Sequence, residues 1–220
     1  ARRTYNRGTS KASRFSRRGV LQGAGGLMAA AGLPSFSGAH PLSQSAARPA
    51  ASANITRQLA RYMVEARDRD LPADIARETR HRILDTIGAI VSGAQMKPGE
   101  AAIRYVQAQG GTPEASVLTT SIKTSAVNAA LANGMFGHAD ETDDFEPVTK
   151  AHPGCAVLPA ALAVAEREGR SGTEVVRAVA LGYDLCCRFL MALGPDHVRG
   201  THRSAEGTSA TFGAVAAPAS

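Results

Sequence analysis

Apolar positions along this chain fall into runs at helical spacing, separated by short joints rich in Gly, Pro and Ser, and the pattern begins only near Asn54. Residues 55–68 (ITRQLARYMVEARD) read as a first helix, and Pro72 suits the first turn of a second helix running to about Ser92. In that second run Ile83, Ile87, Ile90 and Val91 sit at i, i+4, i+7 and i+8, the spacing of one helix face. A third helix, about Gly99–Gln109, stops at Gly110-Gly111, where glycine ends helices readily. Ala115–Leu118 reads as a short strand or an extended connector. The next helix sets Val127, Ala130, Leu131, Gly134 and Met135 in one apolar stripe and delivers the chain to an acidic turn. A helix over about 156–168 follows. Ser171 with Glu174 three residues on makes a capping box that opens another helix to about 192, with Val175, Val179, Tyr183, Cys187 and Leu190 on its inner side. A Gly/Thr-rich stretch from Gly207 to Gly213 opens a last small-residue helix. Nothing repeats internally, so the expected fold class is all-α, a helical bundle.

Composition agrees with a packed core: 44% of residues are apolar and 20% charged. The chain is rich in Ala and Gly and lacks Trp, which suits closely packed helices better than a β-sandwich. The formal charge of +6 would hint at nucleic acid if it were spread over the fold. It is not: Arg2, Arg3, Arg7, Lys11, Arg14, Arg17 and Arg18 precede residue 48, where no acidic residue occurs, and 18 basic residues face 19 acidic ones thereafter. Without a basic stripe or interleaved aromatics, no nucleic-acid partner is expected.

The basic leader has its own reading. Ser16-Arg17-Arg18-Gly19-Val20-Leu21-Gln22 has the form of a twin-arginine export signal, followed by a weakly apolar stretch from Gly23 to Leu33 and small residues at Ser37/Ala39 or Ser45/Ala47 for cleavage. Residues 1–47 are therefore expected to be signal peptide and linker, and 48–220 the helical domain, in a periplasmic or otherwise exported protein. The stretch is shorter than the roughly 20 apolar residues of a membrane-spanning helix, so no stable span is expected. Cys155, Cys186 and Cys187 show no CxxC or Cys/His spacing for zinc or an iron–sulfur cluster, and the adjacent pair reads as buried packing. An opening at Ala1 and a final small-residue run from Thr211 to Ser220 are those expected of a fragment of a longer protein.

Chemistry concentrates in one segment. Asp140, Glu141, Asp143 and Asp144 crowd together between His138 and His152, and like charges so close push one another's pKa values apart, a condition that acid/base catalysis uses. Charge alone fits a solvated acidic loop equally well. Blander roles exist for each residue: His138 as a buried, satisfied histidine continuing the stripe; Asp144 as a cap on loop amides; His152 as a turn residue before Pro153; Tyr183 and Asp184 as helix packing and surface charge; His202 as a surface histidine.

An ordered set of motifs adds to that reading. Ala132-Asn133-Gly134, a histidine four residues on, the acidic turn, His152-Pro153-Gly154, Val157 to Ala163 (VLPAALA), Gly182-Tyr183-Asp184, and His202 ahead of Gly207-Thr208 and Thr211-Phe212-Gly213-Ala214 together resemble the MmgE/PrpD family, the 2-methylcitrate dehydratase and cis-aconitate decarboxylase group. The resemblance runs from about Ile55 to the end. It implies a large helical domain, of which this chain would supply the first part, and a smaller α/β domain outside it. It places active-site residues on Glu141, Asp143, Asp144, His152 and His202, with a lysine and a further histidine expected beyond Ser220. The implied activity is a lyase that dehydrates or decarboxylates a small polycarboxylate by proton transfer, homodimeric at full length, with no cofactor and no metal. His152 and His202 are the candidates for proton traffic, since imidazole titrates near neutrality. Glu141 and Asp143 are expected to orient a histidine or a substrate hydroxyl, and the helix opened by Gly207 and Thr208 to receive a substrate carboxylate on its amides. An epimerase using the same proton abstraction, an oxygen-ligated cation at Asp140, Glu141, Asp143, Asp144 and His152, and an inactive interaction module are the alternatives. Two departures bear on the substrate: Glu141 stands where the family pattern has Asp, and Phe145 where it has a hydroxyl residue. About one extra residue also separates Asp144 from His152.

Overall fold

The computed structural model describes residues 54–201 and 203–219. The chain is all-α. Its helices are α1 (Ile55–Arg67), α2 (Ala73–Gly93), α3 (Lys97–Gln109), α4 (Ala126–Gly137), α5 (Gly154–Glu168), α6 (Gly172–Leu193), the short α7 (Pro195–Gly200) and α8 (Ala205–Ala216), closed by a 3-10 turn at Ala217–Ala219. Between α3 and α4 lies a two-stranded antiparallel hairpin, β1 (Ala115–Ser116) with β2 (Lys123–Thr124), in the register Ala115 to Thr124. The expected export signal and linker, and His202, lie outside the described residues. Among the described residues no helix is long and apolar enough to cross a membrane.

Local signals explain most boundaries. Pro72 is the N-cap of α2, Ser171 and Glu174 form the complete capping box of α6, and Gly110 and Gly169 end α3 and α5 with positive φ. The last long helix opens at Ala205, two residues before Gly207, because Ser204 caps it by accepting the Gly207 N–H at 2.8 Å.

Two centres of packing place the acidic turn. In the first, α4 lies against α2, α3 and α5, with Ile90, Val106, Val117, Ala129, Ala132 and Phe136 fully or almost fully buried. In the second, α6 lies against α5 and α8, with Val157, Leu158 and Val179 at its centre. The close crossing of α6 over α8 depends on missing side chains: a Cβ on Gly182 would stand 2.5 Å from Val157 Cγ1, and one on Gly213 would stand 2.8 Å from the Gly182 carbonyl.

The stripe Val127, Leu131 and Met135 does not face this core. Val127 is 75% exposed, and the inner face of α4 is Ala126, Ala129, Ala132, Asn133 and Phe136. Apolar residues occur all round this helix, so hydrophobicity does not distinguish its faces, whereas residue size does. Small residues allow α5 to come close: a Cβ on Gly134 would lie 3.0 Å from the Cys155 carbonyl. That carbonyl also lacks its helical donor, because Pro159, four residues on, has no N–H. In α2, likewise, Ile90 is fully buried while Ile87 and Val91 are exposed.

Asn133 anchors the hairpin. Its buried amide donates to the Ser116 carbonyl at 3.0 Å and accepts the Leu118 N–H at 2.9 Å, so the strand next to α4 has its backbone satisfied by a side chain.

Candidate active site

The acidic turn is strung between the C-terminus of α4 and the N-terminus of α5, and its residues divide into three groups. Asp143 belongs to the first. Its carboxylate is wholly buried and accepts from His138 Nδ1 with both oxygens at 3.1 Å. His152 Nδ1 stands 3.5 Å away on the other side, long for a hydrogen bond but within ion-pair range. The two rings meet edge to face with centroids 5.7 Å apart. His138 is therefore not the buried packing histidine that the stripe predicts: its side chain is 48% exposed, and it shares its carboxylate with His152, which is 22% exposed. The ring of Phe145, at one of the two departures from the family pattern, lies edge-on to His152 at 5.6 Å.

The second group is a buried polar clamp. Asp144 Oδ1 accepts the Gly154 N–H at 2.8 Å, which is the amide-capping role open to it in the sequence. Around the same glycine stand Thr86 from α2 and Tyr183 from α6: an added Cβ would come within 2.8 Å of the Tyr183 hydroxyl and 2.6 Å of Asp144 Oδ1. Burial raises the Asp144 carboxyl above its usual range, with Tyr183 and the Gly154 amide opposing it. Burial, reinforced by Asp144, likewise raises the Tyr183 phenol. In the sequence Tyr183 reads as helix packing and Thr86 carries no distinguishing mark. The signal available was the glycine after His152-Pro153, whose missing side chain leaves room for polar groups from two other elements.

The third group faces water or its own backbone. Glu141 adopts a left-handed conformation (φ 57°), unusual outside glycine, and its 74%-exposed side chain reaches His138 Nε2 at 3.5 Å. Asp140 accepts from Ser92 Oγ at 2.5 Å and Thr142 Oγ1 at 2.7 Å, which lowers its pKa. The five residues considered for a cation, four carboxylates and one imidazole, do not gather around one point: Asp143 and His152 stand together, but Asp140 is engaged by Ser92 and Thr142, Asp144 by the Gly154 amide, and Glu141 extends into solvent. The segment leading to His152, about one residue longer than the family spacing, is closed by Glu146, whose carboxylate accepts the Thr149 amide and hydroxyl at 2.7 and 2.6 Å while its backbone pairs with Ala151.

Gly207 and Thr208 lie in the first turn of α8. The Gly207 N–H is taken by Ser204 Oγ, and the Thr208 hydroxyl and N–H both donate to the Ser204 carbonyl, at 2.7 and 3.2 Å. A cavity of about 350 Å³ opens elsewhere, among Arg67, Glu168, Arg170, Arg177 and Pro218, and shares no lining residue with the acidic turn.

Residues 57–220 match the family model described as the MmgE/PrpD N-terminal domain. A cis-aconitate decarboxylase-like protein of Aspergillus oryzae, oryM, is 28% identical over 175 residues, which are 76% of this chain and 35% of that protein. The cis-aconitate decarboxylase of Aspergillus terreus is 30% identical over 142 residues, 61% of this chain and 28% of that protein. The chain thus spans about a third of the length of these curated relatives.

Proposed function

Since this chain belongs to the MmgE/PrpD family, we propose that it forms the N-terminal part of a lyase that removes water or carbon dioxide from a small polycarboxylate, of the 2-methylcitrate or cis-aconitate kind, by moving protons through imidazole. The observation that carries this reading is the buried Asp143 carboxylate between His138 and His152. A carboxylate at Nδ1 sets the tautomer and leaves Nε2 to exchange a proton with a substrate. It also stabilises the imidazolium once the ring is charged. Asp143 thus positions the rings and does not contact the substrate, whose carboxylates it would repel.

His152 is the acid/base group in this scheme. In a decarboxylation the C–C bond to the departing carboxylate breaks, its electron pair stays on carbon, and the imidazolium of His152 supplies the proton that quenches it. In a dehydration the same nitrogen removes the proton beside a carboxylate, and a second acid protonates the leaving hydroxyl. His202 is the candidate for that acid by its place in the family pattern. Names carried by the two Aspergillus relatives favour decarboxylation.

Turnover of cis-aconitate, 2-methylcitrate and citrate by the complete protein tests this. His152→Asn is expected to lower kcat by about 10²–10⁴-fold, the usual contribution of a general acid or base. Asp143→Asn is expected to lower kcat less and leave KM nearly unchanged. Absence of turnover with all three substrates, or a fully active His152→Asn enzyme, would overturn the proposal.

A further inference from the structure

Asp143 is flanked by a thiol as well as by two imidazoles. Cys155, in the first turn of α5, brings its Sγ near a ring nitrogen of His138 and an Asp143 oxygen, and these three atoms all lie within 4.8 Å of one another. We propose that His138, Asp143 and Cys155 form a binding site for a divalent cation that accepts thiolate, of the zinc type, with His152 Nδ1 as the fourth donor.

Donor chemistry sets the class of ion. One sulfur, one or two imidazole nitrogens and one carboxylate oxygen are a zinc or cobalt set, whereas calcium and magnesium take oxygen. Tetrahedral zinc with ordinary Zn–N, Zn–O and Zn–S bonds holds its donors about 3.3–3.6 Å apart. His138 Nδ1 is already 3.1 Å from Asp143 and His152 Nδ1 is 3.5 Å from it. Among the described residues only the donors of His138, Asp143 and Cys155 form a group all within 4.8 Å of one another, so closing the set takes an inward shift of the His152 ring as well as a rotation of the thiol.

Preorganisation comes from the backbone. His138 caps the end of α4, Cys155 begins α5, and glycine keeps the two helices close: a Cβ on Gly137 would meet Cys155 Cα and Cβ at 3.4 Å. A second observation points the same way: His152 Nδ1 is buried and makes no hydrogen bond, although it stands 3.5 Å from the Asp143 carboxylate. A buried nitrogen held only at ion-pair distance is incompletely satisfied, and a cation between it and the carboxylate would satisfy both. Charge balances as well, because a dication against a carboxylate and a thiolate is neutral. Binding breaks the S–H bond, forms a sulfur–metal bond and releases the proton to solvent, with no change of oxidation state. The half-exposed His138 ring gives the ion its route in. The cation would occupy the same Nδ1 atoms and carboxylate that hold the imidazoles ready for proton transfer, so the metal-loaded protein would be a silenced form.

Binding is tested without substrate, which separates this proposal from the lyase reading. The complete protein, stripped with a chelator, is titrated with Co²⁺. One equivalent is expected to give a thiolate-to-cobalt charge-transfer band with intense tetrahedral visible bands, both lost on adding Zn²⁺. Cys155→Ser is expected to abolish the charge-transfer band and weaken binding at least tenfold with unchanged helicity, whereas the double variant Cys186→Ser/Cys187→Ser keeps both. No band in the native protein, or a band that survives Cys155→Ser, would overturn the site.

Discussion

Gly154→Ala reads the clamp beneath the acidic turn most directly. The new methyl carbon would lie 2.6 Å from Asp144 Oδ1, 2.8 Å from the Tyr183 hydroxyl, and nearer still to Thr86 Oγ1. None of these atoms is the loose end of an exposed chain. Thr86 is fully buried and donates to the Arg82 carbonyl at 2.9 Å, Asp144 is tied to the Gly154 amide itself, and Tyr183 packs in the second core cluster. Overpacking of this kind costs about 1–3 kcal/mol. Drawing the carboxylate off its amide adds about 1.5–3 kcal/mol, the range for a hydrogen bond to a charged group. The expected loss is therefore about 2.5–6 kcal/mol, a large share of the roughly 5–15 kcal/mol that holds a domain folded. Urea unfolding followed by circular dichroism measures it. Thr86→Ala removes the nearest obstacle, so the double variant should lose at least about 1 kcal/mol less than the two single losses combined. Gly88→Ala, in α2 with nothing within 4 Å of the new carbon, is the control and should gain up to about 1 kcal/mol. A loss at Gly154 below about 0.5 kcal/mol, the scale of a neutral surface change, would refute the clamp.

Burial keeps the Asp144 carboxyl above its usual range, so the folded state holds this proton more tightly than the unfolded one. The resulting stability is fully present below the unfolded value near pH 4 and is lost as pH rises through the folded value; Asp144→Asn, which keeps an acceptor for Gly154, should gain on the native protein from about pH 4 to neutrality, and a pH-independent gap in urea titrations would contradict this. Burial, then the charge of Asp143, pushes the Cys155 thiol well above its ordinary value. Alkylation near pH 8 should thus be at least about tenfold slower at Cys155 in the native than in the urea-unfolded protein, as peptide mapping would show; equal rates would count against it. Asn133→Ala should cost about 2–4 kcal/mol in the same unfolding assay, because the Leu118 amide and the Ser116 carbonyl lose their partner in the core; a loss under about 1 kcal/mol would mean that water replaces the side chain.

The helices were legible wherever a local signal fixes them, as at Pro72, at the Ser171/Glu174 box and at Gly110. The orientation of α4 was not. A run such as Ala-Val-Asn-Ala-Ala-Leu-Ala-Asn-Gly-Met-Phe-Gly is apolar on every side, and its inner face is chosen by how near α5 can come, which is a property of two helices together. The same limit hid His138. Its spacing from Val127 matches the stripe, but the helix ends at Gly137, and the residue after the end leaves the helical face and turns to the carboxylate five positions on. Asn133 was visible as part of a motif, but its task, holding a hairpin that barely registers in the sequence, depends on residues fifteen and more positions away. Thr86 and Tyr183 meet Asp144 only because α2 and α6 both cross the start of α5, and no spacing within either helix announces that crossing.

Adjacent carboxylates in the turn have opposite tasks, and the backbone explains why both are needed. Asp143 holds imidazoles; Asp144 holds the amide of Gly154, two residues after one of those imidazoles. Between them Pro153 fixes one backbone angle, so the position of His152 relative to Asp143 is set by a closed loop of covalent and hydrogen-bonded links that runs out along the turn and back through the clamp. Loosening the clamp would not remove any group from the pocket, yet it would lengthen the Asp143 to His152 distance, which at 3.5 Å is already the weakest link in the arrangement. The clamp therefore has a signature distinct from loss of the acid/base group: Gly154→Ala, which crowds Asp144 off its amide and removes no group from the pocket, should lower kcat in the folded fraction by weakening the alignment of His152 while the histidine itself is intact.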